Sequence, residues 1–486
     1  MPRFRAFFIF FLAFVPSDSI LKKTALYPKR GINMEFTAIV KAISGALWDN
    51  ILLVLLCCTG VYFTLRLRFV QIVKFKDGFK KVFGGFRFKG KKAGKEGMSS
   101  FQALTTAIAA QIGTGNIAGA ATAVVSGGPG AIFWMWISAF FGMATIFSEA
   151  TLAQKFKTTV HGEVTGGPVY YIKAAFNGRF GRVLAALFAI FIILALGFMG
   201  NMVQSNSISE AFDIAFGMPS WIVGVFVALL AGFIFMGGIR RIASVTEKLV
   251  PIMALLYIAG SLIVIGVNYQ HIGQAFVSIF IGAFRPEAVL GGAAGISVKM
   301  AVRYGVSRGL FSNEAGMGST PHAHALAKVD HPCDQGVVAL MGVFLDTFVV
   351  LTLTALTFLT TGALSSGETG SKLAQVAFSS VFGHFGDIFV ALCMFFFAFS
   401  TIVGWYFFGQ TNIKYLFGAK AVKLYSAIVL IFIMVGSTLK VDLVWALSDL
   451  FNGLMVIPNL LALLALSGLV SKLYKEYQQK KVIKSD

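Results

Sequence analysis

Gln111-Ile112-Gly113-Thr114-Gly115-Asn116-Ile117-Ala118-Gly119 sits in the middle of an apolar run, residues 101–125, that is long enough to cross a bilayer. Inside hydrocarbon, irregular backbone survives only where protein buries it or where it lines a cavity. Glycine weakens a helix by about 1 kcal/mol relative to alanine, and here two glycines flank a threonine, with Gln111 and Asn116 alongside. The stretch therefore reads as a broken helix whose carbonyls can turn toward a cation and whose amides can turn toward an anion. Helix packing competes with this reading, since Gly115 and Gly119 form a small-xxx-small face. Packing alone gives no role to Gln111 and Asn116.

A second interruption, Phe311-Ser312-Asn313-Glu314-Ala315-Gly316-Met317-Gly318-Ser319-Thr320-Pro321, follows about 200 residues later. It places an acid, an amide, two glycines and a proline in one supposed span, 297–326. A loop is the alternative, but deleting this crossing breaks the later alternation of basic loops. Broken helices at corresponding places in two halves point to a transport site. Each break opens a set of five spans, and five is odd, so the halves are expected to be inverted relative to each other.

The composition sets the solvent. Of 486 residues, 57% are hydrophobic and only 13% charged, too few charges to coat soluble domains. The 52 glycines suit close helix packing in lipid. The formal net charge of +20 gathers in loops rather than on one face, which reads as topology and not as a nucleic-acid footprint. Eleven spans are expected, at about 50–69, 101–125, 130–154, 182–204, 220–238, 250–267, 297–326, 336–362, 385–409, 423–439 and 443–470. The first loop holds eleven basic residues from Arg66 to Lys95 and should be cytoplasmic. Lys155, Lys157, Lys173, Arg179, Arg240, Arg241, Lys248, Lys414, Lys420 and the basic tail through Lys484 then fall on the same side, while 205–219 has no Lys or Arg. The first span starts outside and the C-terminus is cytoplasmic. Residues 1–33 fit badly: Arg3, Arg5 and the apolar 7–15 resemble a signal-peptide start without an evident cleavage site. They are expected to be an extension ahead of a start at Met34. The organisation expected is a transporter domain at 34–475, with repeats at about 101–267 and 297–470, and a basic tail at 476–486.

Span nine adds Ser400 and Thr401, whose hydroxyl oxygens are the ligand type a hard cation needs. A mid-span Ser-Thr pair commonly bonds its own helix carbonyls; the glycine breaks give this one weight. Trp405 lies one turn beyond Thr401 on the same face, where it can cap a small substrate. Asn201 and Gln204 add polar groups in span four. Asp346, mid-span eight, is either protonated and structural or part of a coupling path. His322, His324, His331 and Cys333 resemble a metal cluster, but i,i+2 histidines share no helix face. The four cysteines are expected to be free thiols. No nucleophile-elbow or phosphate-loop motif occurs, which disfavours an enzyme, and the short tail disfavours a transporter-like amino-acid sensor.

At these residues the chain resembles the alanine or glycine:cation symporter (AGCS) family. The matching segments are Gln111–Gly119, Gly127–Trp136, Gly200–Ser207, Gly309–Ser319 and Ser400–Trp405, and the resemblance runs from about Met34 through span eleven. It implies a multi-pass, all-α inner-membrane protein of eleven transmembrane helices. The fold would be the LeuT-type 5+5 inverted repeat of the APC superfamily, with one helix added in front. It implies symport of alanine or glycine with sodium, no other cofactor, and no nucleic acid; coupling to protons, or serine or glutamine as substrate, remains open. By the family pattern, the substrate would contact Gly113, Gly115, Asn116, Gln204, Asn313, Thr401 and Trp405. By fold analogy, sodium would lie between the carbonyls of Ala109 and Ile112 and the hydroxyls of Ser400 and Thr401.

Overall fold

The computed structural model describes residues 32–84, 97–160, 162–286, 297–439 and 441–483. Most of the extension at 1–33, and Arg87, Lys89, Lys91, Lys92 and Lys95 of the basic first loop, lie outside the described residues. Apart from a small hairpin, β1 (Thr158–Val160) with β2 (Glu163–Thr165), the described elements are helical.

A helical rod comes first: α1 (Ile32–Leu47) runs through a π-turn at Trp48–Leu52 into α2 (Leu53–Arg66). The first set of five follows. Ser99 starts α3 (Ser100–Gln111) with a capping box, its hydroxyl accepting from Gln102 N–H at 3.0 Å. After the break comes α4 (Gly115–Gly127), bent 48° from α3. Then come α5 (Gly130–Lys155), the short α6 (Pro168–Ala175), α7 (Gly178–Phe216), α8 (Ser220–Met236) and α9 (Gly238–Val267). After α10 (Ile272–Phe284) the second set repeats that order. It has α11 (Val298–Asn313), a break, α12 (Pro321–Ala325), α13 (Pro332–Thr360), the short α14 (Gly370–Phe382), α15 (His384–Phe417), α16 (Ala421–Thr438) and α17 (Val441–Ala465). Each set thus has a broken first helix and a short helix between its second and third long ones. A final helix, α18 (Ser467–Ile483), covers most of the stretch expected as a basic tail.

Among the described residues, seven helices are long and apolar enough to cross a membrane, and the bent α3–α4 pair makes an eighth. The other three of the eleven expected spans fall short of that test. α2 has 14 residues and α8 has 17, where ~20 are needed for ~30 Å. α11 carries Lys299, Arg303 and Arg308 and stops at the second break. Two boundaries also differ from expectation. The loop expected at 205–219, free of Lys and Arg, is mostly helix: α7 continues to Phe216 because Ser205, Asn206 and Ser209 donate to Ile433, Gly436 and Ser205 carbonyls, respectively. Only Gly217–Pro219 turn, with Gly217 in the left-handed region at φ 64°. Arg240 and Arg241, expected in a loop, lie on the first turn of α9.

The broken first helices and the second helices form the centre. α5 packs on both α11 and α13, while α7 packs on α15 and α16 around it. Leu229, Met236, Leu255, Phe417 and Leu424 point outward, as a surface solvated by lipid requires.

Candidate functional site

At the first break the chain leaves α3 with Ile112 extended, and side chains replace the missing helix bonds. Gly113 N–H donates to Asn116 Oδ1 at 3.1 Å, and Thr114 N–H donates to Gln204 Oε1 at 3.2 Å. Gly113 has no room for a side chain: a Cβ there would overlap Thr401 Oγ1 and lie 3.2 Å from Gln204 Oε1. The helix resumes as a π-turn, Gly115–Gly119. Gly115 packs against α11, where a Cβ would meet Ser312 Cα at 3.1 Å.

The wall opposite is α15. Gly404 lets it approach α3, since a Cβ there would lie 3.0 Å from Ala110 Cβ. As a result four oxygens converge. Thr401 Oγ1 lies 2.9 Å from Ala109 O and 3.4 Å from Ile112 O, and Ser400 Oγ lies 3.3 Å from Ala109 O. Both hydroxyls also reach the Phe397 carbonyl of their own helix, at 2.8 and 3.0 Å. Bonding to the own helix, the alternative read from the sequence, therefore coexists with the cross-helix cluster.

The second break has its own scaffold. Glu314 ends α11 in the left-handed region at φ 57°, and Gly316 and Gly318 follow at φ 93° and 80°. Asn313 donates to Thr347 Oγ1 at 3.1 Å, and its Oδ1 accepts from Ala315 N–H. Gln111 at the first break donates to the Asn313 carbonyl at 2.7 Å, joining the two breaks. Trp405 is fully buried and pinned: its indole N–H donates to Glu314 Oε1 at 2.5 Å, and its ring meets Phe311 edge-on at 5.8 Å. The other Glu314 oxygen accepts from Ser319 Oγ at 2.6 Å.

All seven residues expected to touch substrate, and all four expected around the ion, therefore lie at or beside the two breaks. Asn201 instead donates to Gly197 O on its own helix. Several buried polar atoms have no partner, among them Gln204 Nε2, Thr114 Oγ1, Gln111 Oε1 and Asn201 Oδ1 near the first break, an expensive state away from water unless a ligand meets them. Two residues that sequence reasoning did not name belong to the frame, Glu149, which accepts from Gly316 and Gly318 N–H at the second break, and Thr347; Glu314, read only as the acid of that break, is Trp405's partner. An acid inside expected span three, toward its cytoplasmic end, was the available signal for Glu149.

The histidines and Cys333 do not gather. His322 lies between Ser319 O and Asn412 Nδ2, and His324 Nδ1 pairs with Gln335 Nε2; among the described residues no group of three or more metal-ligating side chains forms. His322 does line one cavity, of about 520 Å³, with Glu163, Thr165, Tyr170, Gln410 and Lys414. Lys414 and Glu163 pair at 3.2 Å beside it, tying α15 to β2.

Against known proteins, residues 33–486 match the family described as the sodium:alanine symporter family. An uncharacterized transporter of Haemophilus influenzae is 42% identical over 92% of this chain and 97% of its own length. The sodium/alanine symporter AgcS of Methanococcus maripaludis is 42% identical, over 92% of this chain and 98% of its own. The probable sodium/glutamine symporter GlnT of Bacillus subtilis is 41% identical over 91% of each. Among solved structures, MhsT in complex with L-phenylalanine superposes with a TM-score of 0.55 and 13% identity, over 79% of this chain and 98% of that one. That likeness is one of fold, the LeuT fold.

Proposed function

Because the chain belongs to the sodium:alanine symporter family, whose members are multi-pass membrane transporters and not enzymes, we propose that it couples the entry of alanine or glycine to sodium. The observation that carries this reading is the convergence of Ala109 O, Ile112 O, Ser400 Oγ and Thr401 Oγ1 beside the first break. Neutral oxygens at hydrogen-bonding distance are what a small hard cation takes as ligands. The unpartnered Gln204 Nε2 and Thr114 Oγ1 lie next to that cluster and are donors for the carboxylate of a small amino acid. Gly113, Asn116 and Asn313 hold the backbone around the pair, Gly115 sets its distance from α11, and Trp405 closes the side toward Glu314. The 520 Å³ cavity at His322 and Lys414 lies at the basic end, which the positive-inside rule makes cytoplasmic. It serves as the vestibule on that side of a bacterial inner membrane, with the first span starting outside and the C-terminus inside.

A zwitterion carries no net charge, so the sodium ion brings in the membrane potential. One charge through 100 mV is worth ~2.3 kcal/mol, and a tenfold sodium gradient adds about 1.4 kcal/mol. Together they support roughly several hundredfold accumulation. Uptake of L-alanine into proteoliposomes should therefore require an inward sodium gradient and rise with an inside-negative potential. Uptake that ignores sodium and follows a proton gradient overturns the ion assignment. Glutamine is the second reading, favoured by the relative GlnT; it prevails if glutamine competes with labelled alanine better than glycine does.

A further inference from the structure

Two buried carboxylates have no part in the scheme above, and their partners form a pattern. Glu149 lies on α5, the second long helix of the first set. Its Oε2 accepts from Gly316 N–H at 3.0 Å, and its Oε1 accepts from Gly318 N–H at 3.0 Å and from Asn459 Nδ2 at 2.6 Å. Asn459, on α17, also donates to the Gly316 carbonyl at 2.9 Å and is held by the Tyr171 hydroxyl. One carboxylate thus satisfies two amides that the second break leaves without helix partners.

Asp346 lies on α13, the second long helix of the second set. Its Oδ1 accepts from Asn116 Nδ2 at 2.7 Å and from Ser312 Oγ at 2.8 Å, and its Oδ2 accepts from Thr347 Oγ1 at 2.8 Å. Asn116 is thereby oriented: with Nδ2 on the carboxylate, its Oδ1 points at Gly113 N–H. Thr347 is oriented too, and accepts from Asn313 at the second break. Both carboxylates are fully buried, and neither has a Lys or Arg among the partners named.

We infer that Glu149 and Asp346 are a crossed pair of positioning residues. The second helix of each set sends one carboxylate across to the broken first helix of the other set and holds that break in its binding geometry. The breaks are also joined by Gln111 and the Asn313 carbonyl, so loosening one latch loosens the whole site. A carboxylate suits this work because it only accepts and offers several lone-pair directions, whereas an amide turns a donor toward one of the N–H groups it should receive. The inference rests on the reading that the two breaks form the transport site, and its test has one arm that does not need that reading.

The first arm is hydrogen exchange on the ligand-free protein in detergent, comparing wild type with Glu149→Gln and Asp346→Asn. Glu149→Gln should speed exchange about tenfold or more in peptides covering 314–320, and Asp346→Asn should do so in peptides covering 111–118. Tyr257→Phe, which removes the buried hydroxyl bonded to Thr354 at 2.7 Å, should change neither segment. The second arm is uptake of L-alanine. Each single variant should raise KM about tenfold or more with protein yield and unliganded melting temperature near wild type, and the double variant should lose less than the product of the two. Unchanged exchange at both breaks overturns the latches. So does a loss of uptake that simply tracks a fall in melting temperature, or a double variant whose losses multiply. If wild type takes up no L-alanine, the substrate reading falls and the exchange arm still decides the latches.

Discussion

At the scale of single residues, Thr401 separates ion from frame. Its hydroxyl meets three carbonyls, Ala109 on α3, Ile112 at the first break and Phe397 on its own helix. Thr401→Val keeps the shape and removes that oxygen. The half-saturating sodium concentration for uptake should rise about tenfold or more, while stability falls by at most ~1 kcal/mol; wild-type sodium dependence would remove Thr401 from the ion site. Trp405 behaves differently from a free cap, because Glu314 holds its indole. Trp405→Phe keeps most of the volume but leaves a buried carboxylate oxygen without its donor, which costs about 1–3 kcal/mol. Trp405→Ala should in addition admit bulkier amino acids. Melting temperature reads the first effect and competition by a panel of amino acids against labelled alanine reads the second; unchanged selectivity in Trp405→Ala would place the ring away from substrate.

At the scale of elements, the helices around the site are irregular where they meet it. π-helical turns occur at Gly115–Gly119, Ile193–Gly200 and Phe344–Leu351, on three different long helices, and such bulges occur frequently at functional sites. Asp346 lies on the last of these and Asn201 follows directly on the second. The glycines of the breaks should be intolerant for two distinct reasons. Gly113→Ala puts a methyl group into Thr401 Oγ1 and should abolish sodium-dependent uptake without strain in φ. Gly318→Ala meets both strain and steric conflict: φ is +80°, and a Cβ would lie 2.8 Å from Phe188 Cε2. It should cost roughly 1–2 kcal/mol from the backbone alone, visible as a lower melting temperature as well as lost uptake. A Gly318→Ala protein with wild-type melting would contradict the conformation of the second break.

At the scale of the whole molecule, the two sets of helices bury their broken members against each other and turn apolar side chains outward. Orientation is testable with reporters. One fused after Lys484 should report the cytoplasm, and one inserted at Gly217–Pro219, the turn that remains of the expected loop, should report the opposite side. Finding both on one side would overturn the alternation. The basic end is also tied together: Asp334 on α13 pairs with Lys81 at 2.8 Å and accepts from Tyr477 of α18 at 2.9 Å. The terminal helix, which takes in part of the stretch expected as a basic tail, is therefore part of the packed molecule.

Hydropathy, the two glycine breaks and the Ser400-Thr401 pair were legible from the chain alone. Lipid is the solvent for most of the surface, so composition must declare it, and a break in a buried helix needs glycine and polar partners nearby. Those signals are local and periodic, and they located the breaks at 111–119 and 311–321 and the polar stretch at 400–405; Ala109 and the role of Asn313 came from the family resemblance. The tertiary structure decided what they could not carry. That α7 runs to Phe216 depends on carbonyls of α16 more than 200 residues away in sequence. That Trp405 is held by Glu314, and that Glu149 and Asp346 reach across to opposite breaks, depends on where packed helices cross. Such contacts join residues as far apart as Glu149 and Asn459, and no spacing along one helix encodes them. An acid in mid-span announces that it must find partners; only the packing of the two halves determines which ones.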